Sequence, residues 1–166
     1  MNKRLVLRLL GVILVIEALA MVPATLLALL YGDGDFLAML ESVALPLVIG
    51  LPLWRLIKPV DRNLRAREGF AVVALAWILL SVFGAMPFML SGMLPNFTDA
   101  LFEAASGFTT TGATVLTDFD TPRHGVMFWR SFTHWIGGMG VLVLTLALIP
   151  QMTGRTSHLV RAESPG

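Results

Sequence analysis

The sequence predicts an all-α membrane protein with four transmembrane helices plus one re-entrant pore helix and filter loop. Three observations carry that class. Apolar runs recur at residues 5–30, 36–57, 69–90 and 124–149. Only 14% of the 166 residues are charged and the mean hydropathy is +0.78, whereas soluble domains carry about 25% charged residues. Between the last two apolar runs lies an uncharged polar stretch, Ser106-Gly107-Phe108-Thr109-Thr110-Thr111-Gly112-Ala113-Thr114, in which four of nine residues are Thr.

Run 5–30 is broken only by Arg8 and Glu17. As a helix it extends roughly 39 Å, enough for a bilayer core of about 30 Å with tilt. Its basic start and Ala18-Leu19-Ala20 are also features of a signal peptide, but the apolar run exceeds the roughly 7–15 residues of such a segment. Glu17 is costly at mid-span and is expected to face protein or snorkel. Tyr31-Gly32-Asp33-Gly34-Asp35 reads as a tight acidic turn. Run 36–57 contains Pro46, Gly50 and Pro52 and is expected to kink. The segment 55–68 is basic, with Arg55, Lys58, Arg62, Arg65 and Arg67. Run 69–90 has no charge, and Pro87 lies near its outer end.

Asn96 offers an N-cap, with Asp99 three residues on as a variant capping box. A helix over 97–108 is about 18 Å long, too short to cross, and it leads straight into the Thr/Gly stretch. Non-helical backbone at membrane depth survives where it is buried in protein or lines a water-filled path. An uncharged Thr/Gly strand suits the second role. Its carbonyls can replace the water shell of a bare cation, and Gly112 permits the positive φ that aligns successive carbonyls. A polar loop at a helix end is the plainer alternative. The carboxyl end of helix 97–108 favours a cation beneath it. Asp99 and Glu103 are expected toward the outer end, where they raise cation concentration at the mouth; Asp99 serves equally as a cap.

A return loop at 116–123 carries Asp118 and Asp120. In the last span Arg130 lies about 9 Å from His124 along the helix. An ionisable residue at that depth is a functional candidate. It either braces the re-entrant helix by pairing with Glu103 or strand carbonyls, or snorkels to the interface. Gly137, Gly138 and Gly140 read as close-packing positions rather than a gate, and Trp129 and Trp135 as interface and packing aromatics.

Basic residues cluster at Lys3, Arg4 and Arg8, in the 55–68 loop, and at Arg155 and Arg161. By the positive-inside rule both termini and that loop are cytoplasmic. The short helix and the Thr/Gly strand then enter and leave from outside. A formal net charge of +1 argues against a nucleic-acid partner, and the absence of Cys removes disulfide and thiolate chemistry. His124 and His134 stand ten apart, about 80° out of alignment on a helix, with no acid at ligand spacing. No Lys follows Gly107 and Gly112 as a phosphate loop requires. The chain is not read as an enzyme: there is no catalytic or cofactor-binding set.

Glu103-Ala104-Ala105-Ser106-Gly107-Phe108-Thr109-Thr110-Thr111-Gly112-Ala113-Thr114 resembles the first pore loop of the Trk/Ktr/HKT potassium transporter family, in its TrkH/TrkG-type branch. Phe128-Trp129-Arg130-Ser131-Phe132-Thr133-His134-Trp135-Ile136-Gly137-Gly138-Met139-Gly140 is similar to the start of the following span, and Arg161-Ala162-Glu163-Ser164-Pro165-Gly166 to the segment after it. The resemblance implies three parts: an amino-terminal helix pair and cytoplasmic loop at 1–67, a span, pore helix, filter and span unit at 68–150, and a tail at 151–166 that begins a linker. It implies potassium uptake across a bacterial inner membrane as one of four pore units, with K+ as the transported ion, held by the carbonyls of Thr110, Thr111 and Gly112 and supported by Arg130 and Glu103. The implied partners are further pore units, a second copy in a homodimer, and a cytoplasmic nucleotide-binding TrkA-type ring. One unit rather than four is present in the sequence, so a partial reading frame or a unit assembling with others is expected. The alternatives are a non-conducting interaction subunit or remnant, and a homotetrameric cation channel.

Overall fold

The structure, a computed structural model, describes residues 2–58, 66–117, 123–140 and 142. Expectations for Arg62, Arg65, Asp118, Asp120, the end of the last span and the tail lie outside the described residues. The described residues contain six helices and no strand: α1 Lys3–Tyr31, α2 Phe36–Leu56, α3 Ala66–Gly84, α4 Met86–Leu90, α5 Phe97–Phe108 and α6 over 124–140. Three stretches are long and apolar enough to cross a membrane: Lys3–Tyr31, Phe36–Leu56 and Arg67–Leu90. The fourth expected span is described only in α6.

The helix ends follow local chemistry. Asn2 caps α1 by accepting the Leu5 N–H through its side chain. Gly32, at φ 69°, closes α1 in the left-handed conformation that costs glycine least. Helix α2 runs without interruption through Pro46 and Pro52. The third apolar run does break. Pro87 in a continuing helix would clash with the carbonyl four residues back; the chain turns at Ala85 and restarts, placing Pro87 in the first turn of α4.

Two glycines bring α1 and α2 into backbone contact. A Cβ on Gly11 would stand 2.9 Å from the Gly50 carbonyl oxygen, and one on Gly50 would stand 2.8 Å from that of Gly11. Small residues permit such approach where lipid gives no hydrophobic drive between helices. The main core lies toward the other end, around Met21, Met39, Phe88, Phe108 and Trp129. The outward faces stay apolar: Ile16, Leu30, Val48 and Ile78 are all more than half exposed, as a hydrocarbon environment requires. Glu17 faces protein rather than snorkelling. It is 3% exposed and packs toward the α3–α4 break, where a Cβ on Gly84 would lie 3.4 Å from its Oε1. Neither of its carboxyl oxygens has a hydrogen-bond partner among the described residues.

The two ends of the bundle differ in charge. At one, the acidic turn after α1 caps the start of α6. Asp33 Oδ2 accepts the His124 N–H at 3.0 Å and lies 2.6 Å from His124 Nδ1, Tyr31 stacks on the His124 ring at 3.9 Å, and Asp35 Oδ2 accepts the Val126 N–H at 3.3 Å. Arg123 donates to the Ser91 carbonyl there. At the other end the Asn2 N–H reaches Glu68 Oε1, with Lys3, Arg4, Arg55, Lys58 and Arg67 on the same helix ends. The backbone N–H of His124, and then its ring, hold the Asp33 carboxyl below the usual carboxylate range. A carboxyl so lowered stabilises the fold above its ordinary value and loses that contribution as pH falls through its folded value. The thermal midpoint of the solubilised protein should therefore drop as pH is taken below about 4, and Asp33→Asn should flatten part of that drop; thermal scans of both proteins across that range check this.

Candidate functional site

The Thr/Gly stretch begins where α5 ends, and the ending is a six-residue closure. The Thr111 N–H reaches back to the Ser106 carbonyl and the Thr110 N–H to that of Gly107, both at 2.9 Å. This pattern needs a left-handed residue between them, commonly Gly. Here it is Thr110, at φ 58°, the one non-glycine with positive φ among the described residues. A β-branched residue in that region is a genuine outlier. Gly112 follows at φ 75°. Sequence reasoning anticipated positive φ at Gly112 and missed it at Thr110.

From Thr111 the chain returns in extended form to the acidic end, where Val115 and Leu116 line a cavity of about 180 Å³ with Gly92, Leu94 and Arg123. Three ties hold this strand against α5. Ser106 donates its hydroxyl to the Ala113 carbonyl at 2.6 Å. Thr114 Oγ1 lies 3.0 and 2.9 Å from the two carboxylate oxygens of Glu103. The Val115 N–H donates to Glu103 Oε2 at 3.0 Å. Arg130 Nε reaches Glu103 Oε1 at 2.6 Å from the other side. The Glu103 side chain is fully buried and that of Arg130 is 19% exposed. Of the two positions expected for Arg130, the structure places it against Glu103. Glu103 itself does not stand at the mouth, contrary to expectation: it faces inward across α5, already neutralised, and adds no field there. Asp99, in the first turn, is half-buried. Asn96 caps α5 by accepting the Thr98 N–H, and no bond from Asp99 completes a capping box among the described residues.

Helices α5 and α6 run side by side in the same direction, matched turn for turn. Glu103 meets Arg130, a Cβ on Gly107 would lie 2.1 Å from Thr133 Oγ1, and one on Gly137 would lie 2.1 Å from the Phe108 carbonyl oxygen. Trp129 is buried, donating its indole N–H to the Gly84 carbonyl at 3.0 Å and packing edge-on against Phe108. Trp135 is 58% exposed. His124 is taken by Asp33, and His134 Nδ1 lies 2.9 Å from the Arg130 carbonyl.

Five carbonyls of the stretch accept no hydrogen bond among the described residues: those of Phe108 and Thr114 singly, and a run of three between them. Carbonyls at Ala105, Ser106, Gly107, Thr109 and Ala113 all accept hydrogen bonds. Those of Thr110, Thr111 and Gly112 accept none among the described residues, and these three residues are exposed. Carbonyls without hydrogen bonds and exposed hydroxyls are hard oxygen ligands, the type that suits an alkali cation. Among the described residues no group of three His, Cys, Asp or Glu side chains is placed to hold a metal ion. Thr114 and Ser106 were not legible as ties, because each joins residues seven or more positions apart across a helix end.

A family model described as cation transport protein, TrkH, matches residues 38–165. The Trk system potassium uptake protein TrkH of Escherichia coli is 39% identical over 168 residues, covering 100% of this chain and 35% of its own length. The Trk system potassium uptake protein TrkG of the same species is 35% identical over 164 residues, covering 98% of this chain and 34% of its own. The chain thus spans about a third of the length of these relatives. The crystal structure of the potassium transporter TrkH from Vibrio parahaemolyticus matches with a TM-score of 0.83 and 36% identity, over 90% of this chain and 32% of that one.

The glycines of α6 are not equivalent. Gly137 has no room for a methyl group against Phe108, whereas the nearest atom to a Cβ on Gly138 is 3.9 Å away, and on Gly140 it is 3.5 Å away. Close packing thus demands glycine at Gly137 alone of the three. Gly137→Ala should destabilise the protein by about 1–3 kcal/mol through overpacking and Gly138→Ala by much less. Thermal midpoints of the two purified variants check the difference.

Proposed function

We propose that this chain, which belongs to the TrkH cation transport protein family, supplies one filter strand and its supporting helices to a potassium-uptake pore. The carrying observation is the run of three unmatched carbonyls at Thr110, Thr111 and Gly112, bracketed by matched ones and tied back to a buried carboxylate. K+ sheds water against these carbonyls, the positive φ of Gly112 turning its peptide toward the axis. Helix α5 is re-entrant in this reading: it starts at the acidic end and ends at mid-depth, where its carboxyl end favours a cation below it. Glu103 and Arg130 hold the strand in place. A single arc cannot enclose an ion, so further units of the same family complete the ring. The names of the relatives, Trk system potassium uptake proteins, support the choice of ion.

The acidic end faces outward and the basic end faces the cytoplasm of a bacterial inner membrane, as the charge asymmetry favours. In this arrangement the complete transporter is a homodimer and meets a nucleotide-binding TrkA-type ring on its cytoplasmic side. A reporter fused after Asp33 should read external and one after Arg65 cytoplasmic; the reverse pattern would invert the pore.

Gly112→Ser tests the filter. No atom lies within 4 Å of a Cβ at this position, so the penalty is the backbone term alone, about 1–2 kcal/mol. Built into a complete transporter carrying this unit, the variant should lose K+ over Na+ discrimination while keeping its abundance in the membrane. Thr114→Ala should instead lower abundance, since it takes a donor from buried Glu103. The measurements are K+ and Na+ uptake in cells lacking other K+ systems, beside membrane protein levels. Unchanged discrimination in Gly112→Ser would remove this strand from the ion path and leave an interaction subunit as the reading.

A further inference from the structure

A second concave site lies far from the filter, at the basic end. Arg4, from the first turn of α1, and Leu56, Ile57 and Lys58, from the end of α2, line a cavity of about 480 Å³. Arg4 and Lys58 are exposed and form no ion pair among the described residues. Leu56, which lines the same cavity, is 78% exposed. Glu68, at the start of α3, accepts the Asn2 N–H at this end. One turn before Lys58, Trp54 carries the Arg55 guanidinium over its ring at 5.0 Å, a pairing suited to the membrane–water boundary.

We propose that this cavity binds the phosphate headgroup of an anionic phospholipid. The two requirements meet in one place. Two cations with no ion pair among the described residues, one in the first turn of α1 and one just past the end of α2, line a gap large enough for a headgroup, and an exposed leucine beside them continues into the apolar face of α2. A soluble phosphate would use the cations and leave the leucine in water. A phospholipid uses both, with its phosphate between Arg4 and Lys58 and its first acyl carbons on Leu56. Basic pockets between transmembrane helices are suited to this ligand. The site joins α1 to α2 at the end opposite the acidic turn, so a bound lipid bridges the helix pair where the described residues show no side-chain tie between them.

Trp54 supplies the test. The intact membrane protein carrying this chain is reconstituted in phosphatidylcholine bilayers that contain a minor fraction of lipid brominated near the headgroup end of its acyl chains. The emission of Trp54 is taken as the difference from Trp54→Phe. Brominated phosphatidylglycerol should quench it roughly threefold more strongly than brominated phosphatidylcholine at the same fraction, reflecting local enrichment of the anionic lipid. Arg4→Gln and Lys58→Gln should each remove most of that excess, while Arg67→Gln, at the same end but outside the cavity, should keep it. Equal quenching by the two lipids would overturn the proposal. Equal loss in Arg67→Gln would reduce the effect to diffuse surface charge and overturn the site. Relief of the excess by millimolar glycerol phosphate would assign the cavity to a soluble phosphate ester instead.

Discussion

The carboxylate of Glu103 is the point on which the half of the molecule around the Thr/Gly stretch hangs. Three donors converge from two segments on a side chain of α5: the Thr114 hydroxyl and Val115 amide from the returning stretch, and the guanidinium of Arg130 from α6. A charge buried at this depth is tolerable only when paired and hydrogen-bonded. Stripping one partner from such a group typically costs about 3–5 kcal/mol. The returning stretch has no ladder of its own; Leu116 is buried in the main core at its far end, and the path before it is set by what the carboxylate requires. Because Arg130 neutralises Glu103, the strand is fixed without placing a net charge beside the exposed carbonyls. Any field felt by a cation there comes from peptide dipoles, whose number and placement geometry can control.

Much of this was visible in the chain. The apolar runs, the Asn96 cap, the short α5 and the glycine after three threonines are local signals, and helix ends and positive φ at Gly112 are local consequences. Arg130 stood out because an isolated charge in an apolar run demands a partner. The readings that failed share a cause: they depended on which way a side chain points around a helix whose neighbours were unknown. Glu103 was placed at the mouth from its position along α5, yet its direction buries it. The tie from Thr114 was hidden because its partner lies eleven residues earlier, across a helix end. The left-handed Thr110 ran against residue preference, and only the closure of α5 accounts for it. The three glycines of α6 looked alike until the Phe108 carbonyl singled out Gly137.

The amino-terminal pair is built on other principles. Its helices meet through backbone contact at Gly11 and Gly50, with no side-chain polar tie between the helices among the described residues at that crossing. It packs on the rest through the core around Met21, Met39, Phe88 and Trp129, and at the acidic turn Asp33 and Asp35 supply the acceptors that the first turn of α6 needs. Glu17, with neither oxygen hydrogen-bonded among the described residues, lies between these regions, against the point where α3 breaks and Trp129 reaches across to Gly84. Unmatched polar groups at such depth are rare in finished structures, and this one sits where three elements meet.

The caps supplied by the acidic turn have a consequence in time as well as space. Asp33 and the His124 amide it serves are separated by 91 residues. On a ribosome adding about 5–20 residues per second, the turn waits roughly 5–18 s for its partner to be made. During that interval α1 and α2 can already be clasped at their glycines, holding two carboxylates at fixed spacing over an unfilled position. The first turn of α6 then meets acceptors that were synthesised before the Thr/Gly stretch itself.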